Sequence, residues 1–260
     1  MDTNNIIIRP RWKKSKEEIW MESFENKVDS NRDDVAEAST KRISLTLLKY
    51  AAILILSVSL FGILYSIEEQ APRGQHITTY LPDNSRVMLN ADSKISYKPL
   101  VWLISRNVEL EGEAFFEVKR GSRFSVKSGQ YKTTALGTKF NVFARDEIYS
   151  VTCSSGRVEV TVNHEIIPLT EGMKVTVSSQ KPVIEHVTPG DADWMNDRFI
   201  FEDAPLYEVV TEIERQYDIS ISADKPLNQR YTGNFQKTER PEDALEIVGK
   251  PFGITFKIEK

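Results

Sequence analysis

Tyr50–Ile67 reads YAAILILSVSLFGILYSI, eighteen residues without a charge in a chain of 260 residues that is 28% Asp, Glu, Lys and Arg. As a helix rising 1.5 Å per residue it spans roughly 27 Å, close to the ~30 Å hydrocarbon core of a bilayer. A cleaved signal peptide is a poor fit. Such peptides carry an apolar core of about 7–15 residues behind a short basic start. Here more than forty mostly polar residues come first, and Ser66-Ile67-Glu68-Glu69 is no small-residue cleavage site. A core helix at a protein surface would show a water-facing stripe, whereas this run has only the scattered Ser57, Ser59, Tyr65 and Ser66. Lys41, Arg42 and Lys49 precede the run, and Glu68 and Glu69 follow it. Lys49 can snorkel toward headgroups. The positive flank predicts a cytoplasmic N-terminus, with residues 68–260 outside the inner membrane.

The front piece is small. Ser15-Lys16-Glu17-Glu18 fits the S-x-x-E capping box, in which serine and glutamate satisfy free amides at a helix start. The spacing predicts a helix from about Lys16 to Val28. Trp20, Phe24 and Val28 fall at i, i+4 and i+8 on one face, with Ile19 near it. Ile6-Ile7-Ile8 and Trp12 add apolar weight upstream, and Asp29–Thr40 reads as a polar tether. So little apolar surface builds no stable core. A lone helix of this length is marginal in water, so its aromatic face suits folding into a partner's groove. A helix lying on the membrane, or a disordered tail, is the plainer reading of the same spacing.

Behind the span the period is two, from His76 to about Ser179. In Arg106–Val118 (RNVELEGEAFFEV), Val108, Leu110, Gly112, Ala114, Phe116 and Val118 share one face; Val158, Val160 and Val162 repeat the pattern, as do Val175 and Val177. These are half-buried strands of an antiparallel sheet. Pro82-Asp83-Asn84-Ser85, Arg120-Gly121-Ser122, Ser128-Gly129, Ser155-Gly156 and Glu171-Gly172 supply turns. Together they predict an all-β, sandwich- or barrel-like domain. After Trp194 the pattern changes. Phe199-Ile200-Phe201 reads as a strand, and Asp203 as the N-cap of a helix with Pro205 just inside. Leu206, Val209, Val210, Ile213 and Tyr217 carry helical spacing; Ile219–Ile221 and Tyr231–Phe235 read as strands. A second helix opens at Pro241, and Ile254–Ile258 closes as a strand. The order βαββαβ is a small α+β domain. The expected organisation is residues 1–45 as a cytoplasmic arm, 46–67 as a transmembrane helix, 75–185 as the β domain and 193–260 as the α+β domain.

Composition removes several functions. A net charge of −4 gives no electrostatic case for direct nucleic-acid binding. Cys153, the one cysteine, makes no internal disulfide and sits in an alternating run that predicts burial. His76, His164 and His186 are isolated, and there is no H-E-x-x-H, C-x-x-C, Gly-rich phosphate loop or G-x-S-x-G elbow. Acidic residues on the strands alternate outward and read as solvated. No catalytic site, metal site or cofactor is expected.

The segments KEEIWMESFE (Lys16–Glu25), TTYLPDNSRVMLNADSKISY (Thr78–Tyr97), VELEGEAFFEV (Val108–Val118), FSVKSG (Phe124–Gly129) and LGTKFNVFA (Leu136–Ala144) occur in order with SGRVEV (Ser155–Val160), RFIFEDAPLYEVVTEIERQYDI (Arg198–Ile219), YTGNF (Tyr231–Phe235) and PFGITFKI (Pro251–Ile258). In this order around one apolar span, over roughly residues 16–260, the chain closely resembles FecR-type anti-sigma factors, particularly those of Bacteroidota. The resemblance implies a β domain followed by a C-terminal module like the short N-terminal domain of TonB-dependent receptors and secretins. It implies an extracytoplasmic-function (ECF) sigma factor held by the cytoplasmic arm. It also implies contact with the periplasmic signalling domain of an outer-membrane TonB-dependent receptor, and an intramembrane protease as a further partner. Many relatives carry a longer cytoplasmic domain of several helices; this arm is short, so no folded domain is carried over, and Ile19, Trp20 and Phe24, with Trp12 upstream, are the expected sigma-factor contacts. Some relatives self-cleave at a Gly-Thr bond, here Gly137-Thr138: the threonine hydroxyl attacks the preceding carbonyl, the C–N bond breaks, and water splits the resulting ester. Gly137 suits a strained turn because it lacks a Cβ, although a glycine before a strand with a β-forming threonine would serve packing equally. A structural or envelope-assembly protein and a tethered glycan-binding protein are the alternatives; neither needs an aromatic cytoplasmic arm.

Overall fold

The computed structural model describes residues 13–33 and 45–259, in two compact units, Met1–Ile55 and Leu56–Lys260. In the first, the capping box forms. The Glu18 amide donates to Ser15 Oγ at 3.2 Å, and the Ser15 amide donates to the Glu18 carboxylate at 2.8 Å. Two amides left free by the helix start are thereby satisfied. Helix α1 runs Lys16–Asp33, so the first residues of the expected tether are helical. Trp12, Lys41 and Arg42 lie outside the described residues.

Helix α2, Leu45–Leu64, has 20 residues and one charge, Lys49. Among the described residues no helix is long and apolar enough to cross a membrane. The expectation that Tyr50–Ile67 spans a membrane rests on the sequence. The helix stops three residues short of the expected limit at Ile67, which instead opens a strand.

Thirteen strands follow: β1 (Ile67–Ala71), β2 (Ile77–Tyr80), β3 (Arg86–Leu89), β4 (Ser93–Tyr97), β5 (Arg106–Glu117), β6 (Phe124–Ser128), β7 (Tyr131–Ala135), β8 (Lys139–Arg145), β9 (Ile148–Ser155), β10 (Arg157–Val162), β11 (Glu165–Thr170), β12 (Met173–Ser178) and β13 (Lys181–His186). They make one curled sheet, hinged on β5. The first half of β5 pairs with β4 and β6, the second with β3 and β8. Between the halves stands Gly112 at φ +98°, where a Cβ would lie 2.8 Å from Ser93 Cα. Only glycine fits both that backbone and that approach. The two halves of the sheet enclose Leu89, Ile95, Val108, Phe116, Phe124, Phe140, Val151 and Val160. Phe116 stacks on Phe140 at 5.2 Å. Each such side chain contributes about 1.5–3 kcal/mol by leaving water.

The all-β reading holds, with three differences. β5 and β6 are parallel, so the sheet is mixed rather than wholly antiparallel. β1 was hidden in the sequence because Glu68-Glu69 reads as the polar flank of the span; its ladder with β4, from Ile67↔Tyr97 to Ala71↔Ser93, makes it a strand. And β5 alternates only as far as Gly112, after which Glu113, Ala114, Phe115 and Phe116 are all buried.

The C-terminal domain has the expected order: β14 (Arg198–Pro205), α3 (Leu206–Tyr217), β15 (Ser220–Ala223), β16 (Arg230–Gln236), α4 (Pro241–Gly249) and β17 (Phe256–Glu259). Ladders β14–β16 and β15–β17 frame a core of Phe199, Leu206, Val209, Ile213, Tyr231, Leu245, Val248 and Ile254. Asp203 does not cap α3. It lies where the β14–β16 register shifts, at φ +47°, and its carboxylate accepts from Arg230 Nε at 2.7 Å; Pro205 takes the N-cap position. A bulge uses the same short acidic side chain that a cap would.

Candidate functional site

Three places gather the residues of interest. On α1, Ile19, Trp20 and Phe24 are exposed, Trp20 by 67%, and Met21 joins them. Trp20 stacks on Phe24 with ring centroids 5.4 Å apart. Stacking organises a flat aromatic surface within the helix.

The second place is the Gly137-Thr138 turn entering β8. Gly121 N–H donates to Leu136 O at 3.1 Å and Val118 N–H to Thr138 O at 3.0 Å, which pins the turn on both sides. Gly137 has φ +153°, and a Cβ there would lie 3.0 Å from Arg120 Cα. Thr138 is buried, and its hydroxyl donates to Arg157 O at 2.8 Å. Gly156, at φ +83°, keeps space open beside Thr138 Oγ1 and Gly137 O, 3.2 and 3.4 Å from where a Cβ would sit. The turn therefore orients the hydroxyl tightly. Its hydrogen-bond partner is a carbonyl, which is not a base able to take the proton.

The third place was not read from sequence: the seam between the β domain and the C-terminal domain. Glu113 is its centre. Asn90 Nδ2 and Asn141 Nδ2 each donate to one of its oxygens at 2.7 Å. Committing both amide nitrogens to the carboxylate turns both asparagine oxygens outward. Gln216 Nε2 on α3 donates to Asn90 Oδ1 at 2.7 Å, and Trp194 Nε1 donates to Asn141 Oδ1 at 3.2 Å. Gln216 Nε2 also donates to Glu212 at 2.8 Å, so Gln216 Oε1 accepts from His76 Nε2 at 3.0 Å and sets that ring's tautomer. Burial, and then the charge of Glu212, push the Glu113 carboxyl above the ordinary carboxylate range. Nearby, the loop after β1 grips the end of α3. Gly74 N–H donates to Arg215 O at 2.8 Å, and the Arg73 guanidinium donates to Ile219 O at 2.8 Å. Donors and a cation at a helix C-terminus satisfy its free carbonyls and its dipole.

Cys153 is buried and its thiol pushed up to about 11, chiefly by burial. Among the described residues no group of His, Cys, Asp and Glu could hold a metal. Residues 68–159 match the family described as FecR protein, and residues 198–260 match FecR, C-terminal. The chain belongs to the FecR family. Two crystal structures of a "putative anti-sigma factor" from Parabacteroides distasonis ATCC 8503 are similar to this FecR-family chain. They share 26% and 27% sequence identity with it, cover 75% of it and 96% and 95% of their own chains, and each gives a TM-score of 0.69. No curated protein matches the chain.

Proposed function

We propose that this chain is a membrane-anchored anti-sigma factor. Its arm holds an ECF sigma factor in the cytoplasm, α2 crosses the inner membrane, and the β and C-terminal domains receive a signal from a TonB-dependent outer-membrane receptor. The observation that carries this reading is the exposed, stacked aromatic face of α1 ahead of the apolar helix of a FecR-family chain. FecR-family membership and the similarity to structures described as anti-sigma factors support it. The seam supplies a route. A partner that displaces α3 pulls on Arg73 and Gly74, two and three residues after β1, and β1 begins three residues after α2 ends. A covalent step within the exported part is proposed in cis at Gly137-Thr138, where two fragments on a denaturing gel, lost in Thr138→Ala, would mark cleavage. A single full-length band would leave the turn as packing. Intramembrane proteolysis would act downstream of either outcome.

Bacterial two-hybrid of residues 1–45 against an ECF sigma factor encoded beside this chain tests the lead claim. Interaction that Trp20→Ala with Phe24→Ala removes is expected. An arm with no sigma-factor interaction would return the envelope-assembly reading.

A further inference from the structure

Lys98–Ser105 joins β4 to β5 and presents apolar side chains to water. Trp102 anchors it, buried edge-on against Tyr97 at 5.6 Å and Phe124 at 6.1 Å. Beyond the anchor, Leu103 is 98% exposed and Ile104 90%, and Leu100 is exposed as well. The turn is closed: Ile104 N–H and Ser105 N–H both donate to Val101 O, at 3.0 and 2.9 Å. Two branched aliphatic residues are thus held outward by a built turn on a buried tryptophan. A domain facing only water gains nothing from that arrangement.

Position identifies the partner. β1 starts three residues after α2 ends, and its first residue, Ile67, pairs with Tyr97, the last residue of β4. The loop therefore leaves the sheet at the end where the chain leaves the apolar helix. It also lies against that helix, since a Cβ on Gly62 would be 3.9 Å from Leu100 Cβ. We propose that Leu100, Leu103 and Ile104 insert into the lipid surface that α2 enters, on the side of the β domain. Lys98, exposed at the start of the loop, reaches the headgroups. This rests on the reading of α2 as a membrane span. Its consequence is mechanical: the β domain is held at two points, the helix and the loop, and does not swing freely from Tyr65-Ser66.

The test uses the full chain reconstituted in vesicles. A polarity-sensitive fluorophore is placed at Leu103→Cys, at Val58→Cys on α2, or at Asn107→Cys on β5 as a water reference, with the buried Cys153 replaced by serine throughout. Vesicles carry phospholipids brominated near the headgroup end of the acyl chains or near its middle. Position 103 is expected to shift to the blue relative to position 107 and to lose emission with the shallow bromines, while position 58 is quenched by the deeper ones. Emission at 103 matching that at 107, with 58 quenched, overturns the loop insertion and leaves the span standing. A blue-shifted but unquenched 103 means that protein, such as a second copy, covers the loop, and also overturns it. An unquenched 58 removes the span and the proposal together.

Discussion

Glu113 follows the outward alternation of Glu109 and Glu111 on β5, yet it is buried because the C-terminal domain covers that face. Periodicity told which side of the strand it occupies but not what lies on that side. Replacing it by alanine leaves the Asn90 and Asn141 amides without their acceptor, at about 1–3 kcal/mol each; urea unfolding of the solubilised chain should show that loss, and an unchanged midpoint would remove Glu113 from the seam. The pH dependence has a definite sign. The folded chain holds the Glu113 proton more tightly than the unfolded one, whose carboxyl titrates near 4.5. Its contribution to stability is full below that value and is lost as pH rises through the raised folded value. Glu113→Gln should flatten that part of the stability–pH curve. Gly112 was legible only as one more position on a strand face. Its positive φ and the approach of Ser93 make Gly112→Ala costly, by about 2–4 kcal/mol, and the same unfolding measurement checks it.

At the scale of elements, the capping box, β5 and the βαββαβ order were readable because each writes a local pattern. Ser15 and Glu18 meet as the motif requires, and α3 buries the very positions Leu206, Val209, Val210 and Ile213 that helical spacing selects. The misses depend on distant partners. β1 is polar in its middle and becomes a strand through β4; the parallel β5–β6 pair has no signature in periodicity; and Asp203 was diverted from a cap into a bulge by Arg230. The grip on α3 is likewise a meeting of residues far apart in sequence. Arg73→Ala removes the guanidinium from Ile219 O and should cost about 1–2 kcal/mol. If the seam carries the signal, a sigma-dependent reporter should lose its response to the inducing ligand while sigma-factor binding stays intact. A normal response in Arg73→Ala would place the route elsewhere.

At the scale of the whole chain, the account rests on the two ends of the sequence. One end is a helix whose aromatic face has no core of its own to enter; the other is a β domain and an α+β domain locked by a buried polar seam. Aromatic anchors of this kind dominate interfaces, at about 2 kcal/mol or more each when truncated. Trp20 and Phe24 touch each other, so their losses will not simply add. The measurement that bears most directly on this account is the affinity of the full chain in nanodiscs for an ECF sigma factor encoded beside it, compared with the Trp20→Ala, Phe24→Ala double variant. The account predicts tight binding by the unaltered chain and a loss of at least about 100-fold in the variant. Equal affinity of the two, or no binding by either, would contradict it.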